Sequence, residues 1–248
     1  MPSELACRLS HQAIQPAEQR SRAEIIDRYR RYRAISKRHN DGAFKCVSSE
    51  SLNEQARRLG IAHGRRWILN TEDELAFVYD LALYACQGAR KRPIDRYAAS
   101  QRHSLNADEA RVLDAMLAAR FALIRVENRH PEAGLIVRDL MRKEELWLVD
   151  EGLESTAPKG FKMATRVYSP EDFYMAAGAL VPMEGVLLMG ALARRPFLLR
   201  MNLDEALNDR RFAEAIYREA IETGATERVR FMDPAEWAVA SALPPFAV

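Results

Sequence analysis

The sequence lacks the short motifs by which common enzymes and metal proteins are recognised. None of the patterns G-x-x-x-x-G-K-[ST], G-x-G-x-x-G or G-x-S-x-G occurs in its 248 residues, which removes the usual phosphate loop, dinucleotide fold and nucleophile elbow. Its five histidines are dispersed and never show H-x-x-x-H spacing, so no zinc-ligand motif is present. From sequence we predict no metal and no cofactor, and whether the protein is an enzyme stays open.

Cysteines and long apolar runs are also scarce. The three cysteines are widely spaced and form no C-x-x-C pair, which argues against a disulfide framework and favours thiols in a reducing cytoplasm. Charges near the N-terminus stand where a signal peptide needs an apolar stretch. The longest apolar stretch, residues 176–193, is broken by Pro182, Glu184 and three glycines. We therefore predict a cytoplasmic protein without a membrane partner.

What is present is the composition of an ordinary folded domain. Apolar residues make up 48% of the chain and charged residues 29%, with a net charge of +2. This length suffices for one large or two small domains with a buried core. A net charge so small does not by itself imply a polyanionic partner.

The first part of the chain has helical patterns. In residues 17–38, Ile25, Tyr29 and Tyr32 fall on one helical stripe. Residues 51–59 form a second predicted helix, which Gly60 ends.

A third predicted helix starts at the capping box of Thr71 and Glu74 and ends near Gly88. Apolar residues surround it almost completely, so it should be a buried central helix. A polar connector with one short helix after Pro93 follows.

The period of the pattern then changes from helix to strand. A helix that starts at the Asn106–Glu109 capping box runs into alternating apolar and polar residues. Five strands are predicted, at residues 121–128, 135–140, 146–150, 161–168 and 173–181. Short strands and short turns favour an antiparallel meander that curls into a small barrel or half-barrel.

Helical patterns return near the C-terminus. Residues 182–194 suit either a strand or a helix. Asn202 and Glu205 start one helix that Gly224 ends, and Asp233-Pro234 starts a last one.

The predicted fold class is therefore α+β. Helical residues 1–105 pack on a small antiparallel β-domain, residues 106–200, which a helix enters. C-terminal helices, residues 201–248, pack back on the rest.

Residues 134–153, "GLIVRDLMRKEELWLVDEGL", raise the choice between a helix and a hairpin. If these residues formed a helix, their apolar side chains would not lie on one side of it. If they form two strands, apolar side chains alternate between the two faces, and the charged residues "RKEE" fall in the loop. We predict the hairpin.

This region resembles a segment of uncharacterised bacterial proteins with an R-D-L-x-x-G-E hairpin in a small β-domain. The resemblance implies the hairpin fold and carries no known activity. Some relatives have a SecA-like C-terminal zinc motif, which this chain lacks, and Lys143 (or Arg142) stands where the hairpin glycine is expected. The matching residues are Val126, Pro131, Gly134, Leu135, Arg138, Asp139, Leu140, Glu144, Ser155, Gly160, Arg166 and Val167.

Two acids are candidate catalytic residues. Asp139 follows Arg138 near the hairpin loop, and a role in holding backbone N–H groups of the turn is favoured over acid–base chemistry. Asp80 lies in the middle of an otherwise apolar helix, where a carboxylate must be paired or protonated. A salt bridge to an arginine such as Arg96 or Arg120 is favoured over an active site near Asp80.

Basic clusters in the first half suggest a nucleic-acid surface. The residues that would contact phosphates are Arg28, Arg30, Arg31, Lys37, Arg38, Arg65 and Arg66. Tyr29 and Tyr32 share the apolar stripe, so they are expected to pack rather than to stack on bases.

The sequence supports a non-catalytic binding or adaptor protein best. We predict a protein partner first and nucleic acid second, with an unrecognised enzyme as the third alternative.

Overall fold

The computed structural model describes residues 20–64, 66–85 and 91–225 of the chain. Within these residues, α-helices precede, interrupt and follow one five-stranded antiparallel sheet. The predicted α+β class is confirmed. None of the helices in these ranges is long and apolar enough to cross a membrane.

The chain begins with the two predicted helices, α1 (Arg22–Phe44) and α2 (Ser49–Leu59). Ser21 and Glu24 exchange capping hydrogen bonds at the start of α1, and Ile25, Tyr29 and Tyr32 are buried as predicted. Helix α1 continues past the predicted end at residue 38, and residues 17–19 lie outside the described ranges. Gly60 ends α2 in the left-handed conformation, with φ of 84°.

A two-residue hairpin, β1 (Ala62–His63) and β2 (Arg66–Trp67), leads to the buried helix α3 (Glu72–Tyr84). The predicted capping box of Thr71 and Glu74 does not form. Glu74 instead accepts a hydrogen bond of 2.8 Å from the backbone N–H of Asn70, one residue earlier, and the Thr71 hydroxyl accepts no capping bond. The helix ends at Tyr84, and Gly88 lies outside the described ranges.

Two further helices lead to the sheet. They are α4 (Pro93–Gln101), followed by a 3₁₀ turn, and α5 (Ala107–Leu117). The reciprocal hydrogen bonds of Asn106 and Glu109 confirm the second predicted capping box.

All five predicted strands are present, with ends shifted by no more than two residues. They are β3 (Arg120–Arg129), β4 (Leu135–Asp139), β5 (Glu145–Leu148), β6 (Lys162–Tyr168) and β7 (Met175–Pro182). Their order in the sheet is β5-β4-β3-β6-β7, and every neighbouring pair is antiparallel.

Of the predicted barrel or half-barrel, the closed barrel is wrong, because the sheet stays open between β5 and β7. The two edge strands meet only at one corner, where Tyr174 exchanges backbone hydrogen bonds with Trp147 and Val149. Strand β5 ends at Leu148, and the unpredicted helix α6 (Glu151–Thr156) follows almost at once. The chain enters α6 two residues after β5 ends, so β5 does not continue along β7.

A β-bulge lies in β7 opposite Arg166. The pairing of β6 with β7 shifts register between Thr165 and Val167, and Gly178 in the bulge has φ of 121°. Such a φ is accessible to glycine and costly for other residues. The extra residues bend β7 at the point where it runs beside Arg166 of β6.

The C-terminal part of the described chain is helical. Residues 182–194, suited to either structure, contain helix α7 (Gly185–Arg194), followed by a 3₁₀ turn (Pro196–Arg200). The helix predicted from Asn202 to Gly224 is split into α8 (Leu203–Asn208) and α9 (Arg210–Thr223). Asp209 breaks it, with an extended backbone and a carboxylate that accepts from the N–H of Arg211 at 2.8 Å. The predicted helix at Asp233 lies outside the described ranges.

Three clusters of buried side chains hold these elements together. One lies between one face of the sheet and α2, α3, α7, α8 and α9. A second joins α1, α4, α5 and the end of α3. A third covers the opposite sheet face beneath α6. Helix α3 contributes to two clusters, so side chains from all three predicted regions share these cores.

Lys143 lies in the loop between β4 and β5. Among the described non-glycine residues it is the one with a positive φ, at 61°. Because this conformation costs a side chain about 1–2 kcal/mol, and glycine loses more entropy on folding, we expect Lys143→Gly to raise the free energy of unfolding by ~1 kcal/mol. Urea denaturation measures the change. Lys143→Ala, which removes the same side chain and keeps the strain, serves as control. Equal stabilities of the two variants would contradict the prediction.

Candidate functional site

A buried ion pair joins α3 to the centre of the sheet. Arg166 of β6 donates from Nε to Oδ1 of Asp80 at 2.8 Å and from Nη2 to Oδ2 at 2.9 Å. Asp80 is 6% exposed and Arg166 is 9% exposed. Both carboxylate oxygens are thus occupied by one guanidinium, in the bidentate geometry that gives the strongest such pairs.

The predicted salt bridge of Asp80 is present, but the predicted partners are wrong. Arg96 donates to the backbone carbonyl of Cys46, and Arg120 pairs with Glu144 at 2.6 Å. Both oxygens of this carboxylate are engaged by Arg166, so Asp80 is poorly placed to act as an acid or base on a substrate. The geometry of Asp80 is that of a structural residue.

Aromatic rings surround the pair. The guanidinium of Arg166 lies over the ring of Tyr84, 4.6 Å from its centroid, and 5.9 Å from that of Phe121. Tyr217 of α9 stacks on Phe77 of α3 at 4.3 Å. The pair therefore sits where α3, β3, β6 and α9 meet.

The protonation states in this region follow from burial and charge. Burial opposes the charge of Arg166, yet the charge and hydrogen bonds of Asp80 outweigh it and raise the pKa of Arg166. Burial, with a contribution from Asp80, raises the pKa of the Tyr217 hydroxyl. Burial likewise raises the pKa of Tyr84. Arg166 is therefore charged and both tyrosines are neutral at physiological pH.

A cleft of about 590 Å³ opens beside this junction. Its walls come from the end of α3, the start of β3, Arg166 of β6 and the α8–α9 turn. Five of the lining side chains are arginines, namely Arg92, Arg120, Arg166, Arg210 and Arg211. The apolar part of the lining includes Leu81, Phe121, Leu207 and Ala213. We call this cleft the arginine pocket.

Four of the five arginines have carboxylate partners within the protein. Arg92 pairs with Asp95 at 2.7 Å, Arg120 with Glu144, and Arg166 with Asp80. Arg211 pairs with Asp209, itself a lining residue, at 2.5 Å. Hydrogen bonding to Arg211 lowers the pKa of Asp209, so this carboxylate is ionised at neutral pH.

Arg210 differs from the other four because no carboxylate of the described chain pairs with it. Its buried Nη1 has no hydrogen-bond partner there, and neither does the buried Nε of Arg120. Arg210 is also the first residue of the 14-residue helix α9, whose N-terminus carries partial positive charge. Buried donors without acceptors cost about 1–3 kcal/mol each.

Asp139 lies elsewhere, in the hairpin loop. It is fully buried and accepts hydrogen bonds of 3.1 Å from the backbone N–H groups of Met141 and Arg142. The guanidinium of Arg142 bonds the same carboxylate at 3.2 Å. This is the geometry expected of an aspartate that holds a turn.

The basic side chains of α1 lie against acids from other elements. Arg28 pairs with Glu171, Arg30 with Glu151, Arg31 with Asp108 and Arg38 with Glu109. Lys37 and Arg66 are exposed, and Arg65 lies outside the described ranges. A phosphate backbone would therefore meet a largely neutralised surface on α1, and the nucleic-acid surface stays a prediction.

No cluster of three or more histidine, cysteine, aspartate or glutamate side chains suited to a metal ion occurs in the described part of the chain.

The match to known families covers most of this architecture. Residues 23–184 match a family described as a family of unknown function (DUF7986). The protein belongs to this family. The DUF7986 range ends before α7, so it contains Arg92, Arg120 and Arg166 but not Arg210 or Arg211. No curated protein and no solved structure matches the chain.

Sequence reasoning missed the arginine pocket. The sequence could have indicated Arg166, because it is a charged residue at an inward position of the apolar segment "MATRVY". The sequence gives no such indication for Arg210, since an arginine at the start of an amphipathic helix is common.

The ion pair of Asp80 and Arg166 generates a stability test. Asp80→Asn leaves a buried guanidinium without its counter-charge, so we expect the free energy of unfolding to fall by about 3–5 kcal/mol. Replacing both residues, Asp80→Leu with Arg166→Met, should recover much of the loss. Denaturant unfolding measures both, and Asp27→Asn, at an exposed position of α1, is the matched control. A loss below ~1 kcal/mol in Asp80→Asn would refute the structural role.

Proposed function

We propose that the protein is a non-catalytic binding protein and that its ligand is a small organic anion held in the arginine pocket. The observation that carries this proposal is Arg210, a lining residue of the pocket whose guanidinium has no carboxylate partner among the described residues. Arginine is the side chain best suited to hold a planar carboxylate or a phosphate by paired hydrogen bonds.

The composition of the pocket supports binding rather than catalysis. The titratable groups that line it are arginines, one tyrosine and Asp209. The acid is engaged by Arg211, and Tyr84 has its pKa raised by burial. No general base is thereby present at neutral pH among the described lining residues. The pocket volume of about 590 Å³ lies within the range of sites for small molecules.

Binding of a panel of organic carboxylates, sulfonates and phosphates at constant ionic strength tests the proposal. Isothermal titration gives the Kd, and the melting temperature should rise with ligand concentration. Because hydrogen bonds to charged groups contribute about 1.5–3 kcal/mol, Arg210→Gln should raise the Kd at least tenfold. Lys37→Gln, which removes an equal charge from the exposed face of α1, should leave the Kd unchanged.

Two outcomes would contradict this function. The first is that no anion of the panel binds. The second is equal weakening by Arg210→Gln and Lys37→Gln, which would indicate a general effect of net charge instead of a pocket.

A protein partner is the second candidate function, and exposed apolar side chains favour it. Val186 and Met189 lie on one face of α7, and their side chains are 79% and 67% exposed. Most other residues of this helix are apolar as well. Exposed apolar groups clustered on one face are typical of interaction surfaces.

The adaptor alternative predicts capture of one discrete protein from nuclease-treated lysate. The double variant Val186→Ser with Met189→Ser should lose this capture, since it removes the apolar contact. Lys37→Gln should retain it. Capture that survives the double variant would exclude the α7 face.

A further inference from the structure

We infer that the ligand of the arginine pocket is a monocarboxylate attached to an apolar body. This inference rests on the proposed anion-binding function and narrows the chemical class of the anion. It follows from the charge balance of the pocket, from its arginine side chains and from its apolar wall.

The charge balance limits the ligand to about one negative charge. Five guanidinium groups line the pocket, and four carboxylates, Asp80, Asp95, Glu144 and Asp209, pair with four of them. One positive charge, that of Arg210, is left unmatched within the described chain. A polyphosphate or a tricarboxylate would bring several negative charges into a pocket that is lined by Asp209 and whose other arginines are already paired, and like charges in a partly desolvated site repel strongly.

The arginines of the pocket suit a carboxylate head group. Arg120 and Arg210 both line the cleft, and a guanidinium can donate two parallel hydrogen bonds to one carboxylate. A carboxylate has two oxygens that each accept hydrogen bonds, so one such group can accept from two arginines.

The apolar wall requires more than a head group. Leu81, Phe121, Leu207 and Ala213 line the same cleft as the arginines. A volume of about 590 Å³ far exceeds the share of one water molecule, about 30 Å³. A bare inorganic anion would leave this apolar surface wet, whereas an alkyl or similar chain would cover it. Free carboxylic acids and the C-terminal carboxylate of a peptide that ends in an apolar residue share this chemistry.

A homologous series of straight-chain carboxylates, from acetate to octanoate, tests the inference by titration calorimetry on the full chain. Each buried methylene contributes about 0.8 kcal/mol, so the Kd should fall up to about fourfold per added carbon until the pocket is filled. Hexanamide, equal in shape and neutral, should not bind. Hexyl phosphate, with its greater charge, should bind more weakly than hexanoate.

A variant with a smaller pocket tests the contribution of the ligand's apolar chain separately from that of its carboxylate. Ala119 lines the cleft and is partly exposed, so Ala119→Leu should weaken octanoate at least tenfold and leave acetate unchanged. The melting temperature of the free variant checks its folding. Should it fail to fold, the chain-length series on the parent protein decides by itself.

N-acetyl-leucine and a tetrapeptide ending in leucine identify the source of the carboxylate. Tighter binding of the tetrapeptide than of hexanoate assigns a peptide C-terminus, and the reverse order assigns a free acid; both support the class. Kd values that do not change with chain length, or tighter binding of hexyl phosphate, would overturn the inference while anion binding itself stands. Absence of binding by every anion would instead remove the proposed function beneath it.

Discussion

The bidentate ion pair between Asp80 and Arg166 is the interaction on which the junction of helices and sheet depends. A charged residue in the middle of a buried helix and another in a central strand each carry a large desolvation cost. This desolvation cost is offset because the two side chains form a bidentate ion pair with each other. The ion pair fixes the position of α3 over β6. The bulge of β7 at Gly178 stands opposite Arg166 and bends the neighbouring strand there.

The same junction creates the arginine pocket. Once Arg166 is held by Asp80, its neighbours Tyr84 and Phe121 are positioned around it. The break at Asp209 then directs the start of α9 toward this region. Arg210 thereby joins Arg92, Arg120, Arg166 and Arg211 around one cleft. A single helix in place of α8 and α9 would have no free N-terminus at this position.

Most of the basic side chains have internal partners, and this decides where an anion would bind. The arginines of α1 reach acids at residues 108, 109, 151 and 171. They tie α1 to α5, to α6 and to the loop before β7, and their charge is largely matched. Arg210 is the contrast, because no carboxylate among the described residues pairs with it. A guanidinium without an internal ion pair can bind an anion without breaking one.

The sequence by itself determined most of the helices, the five strands and the α+β class, because these depend on local periodicity, caps and turn residues. The stripe of Ile25, Tyr29 and Tyr32, the Asn106–Glu109 box and the hairpin around Asp139 all follow from neighbours a few residues away. Only the tertiary structure decided that the sheet stays open and that Asp80 meets Arg166. It also decided that Arg210 has no carboxylate partner among the described residues. Those outcomes depend on which distant side chains occupy the same space, and no local pattern encodes that pairing.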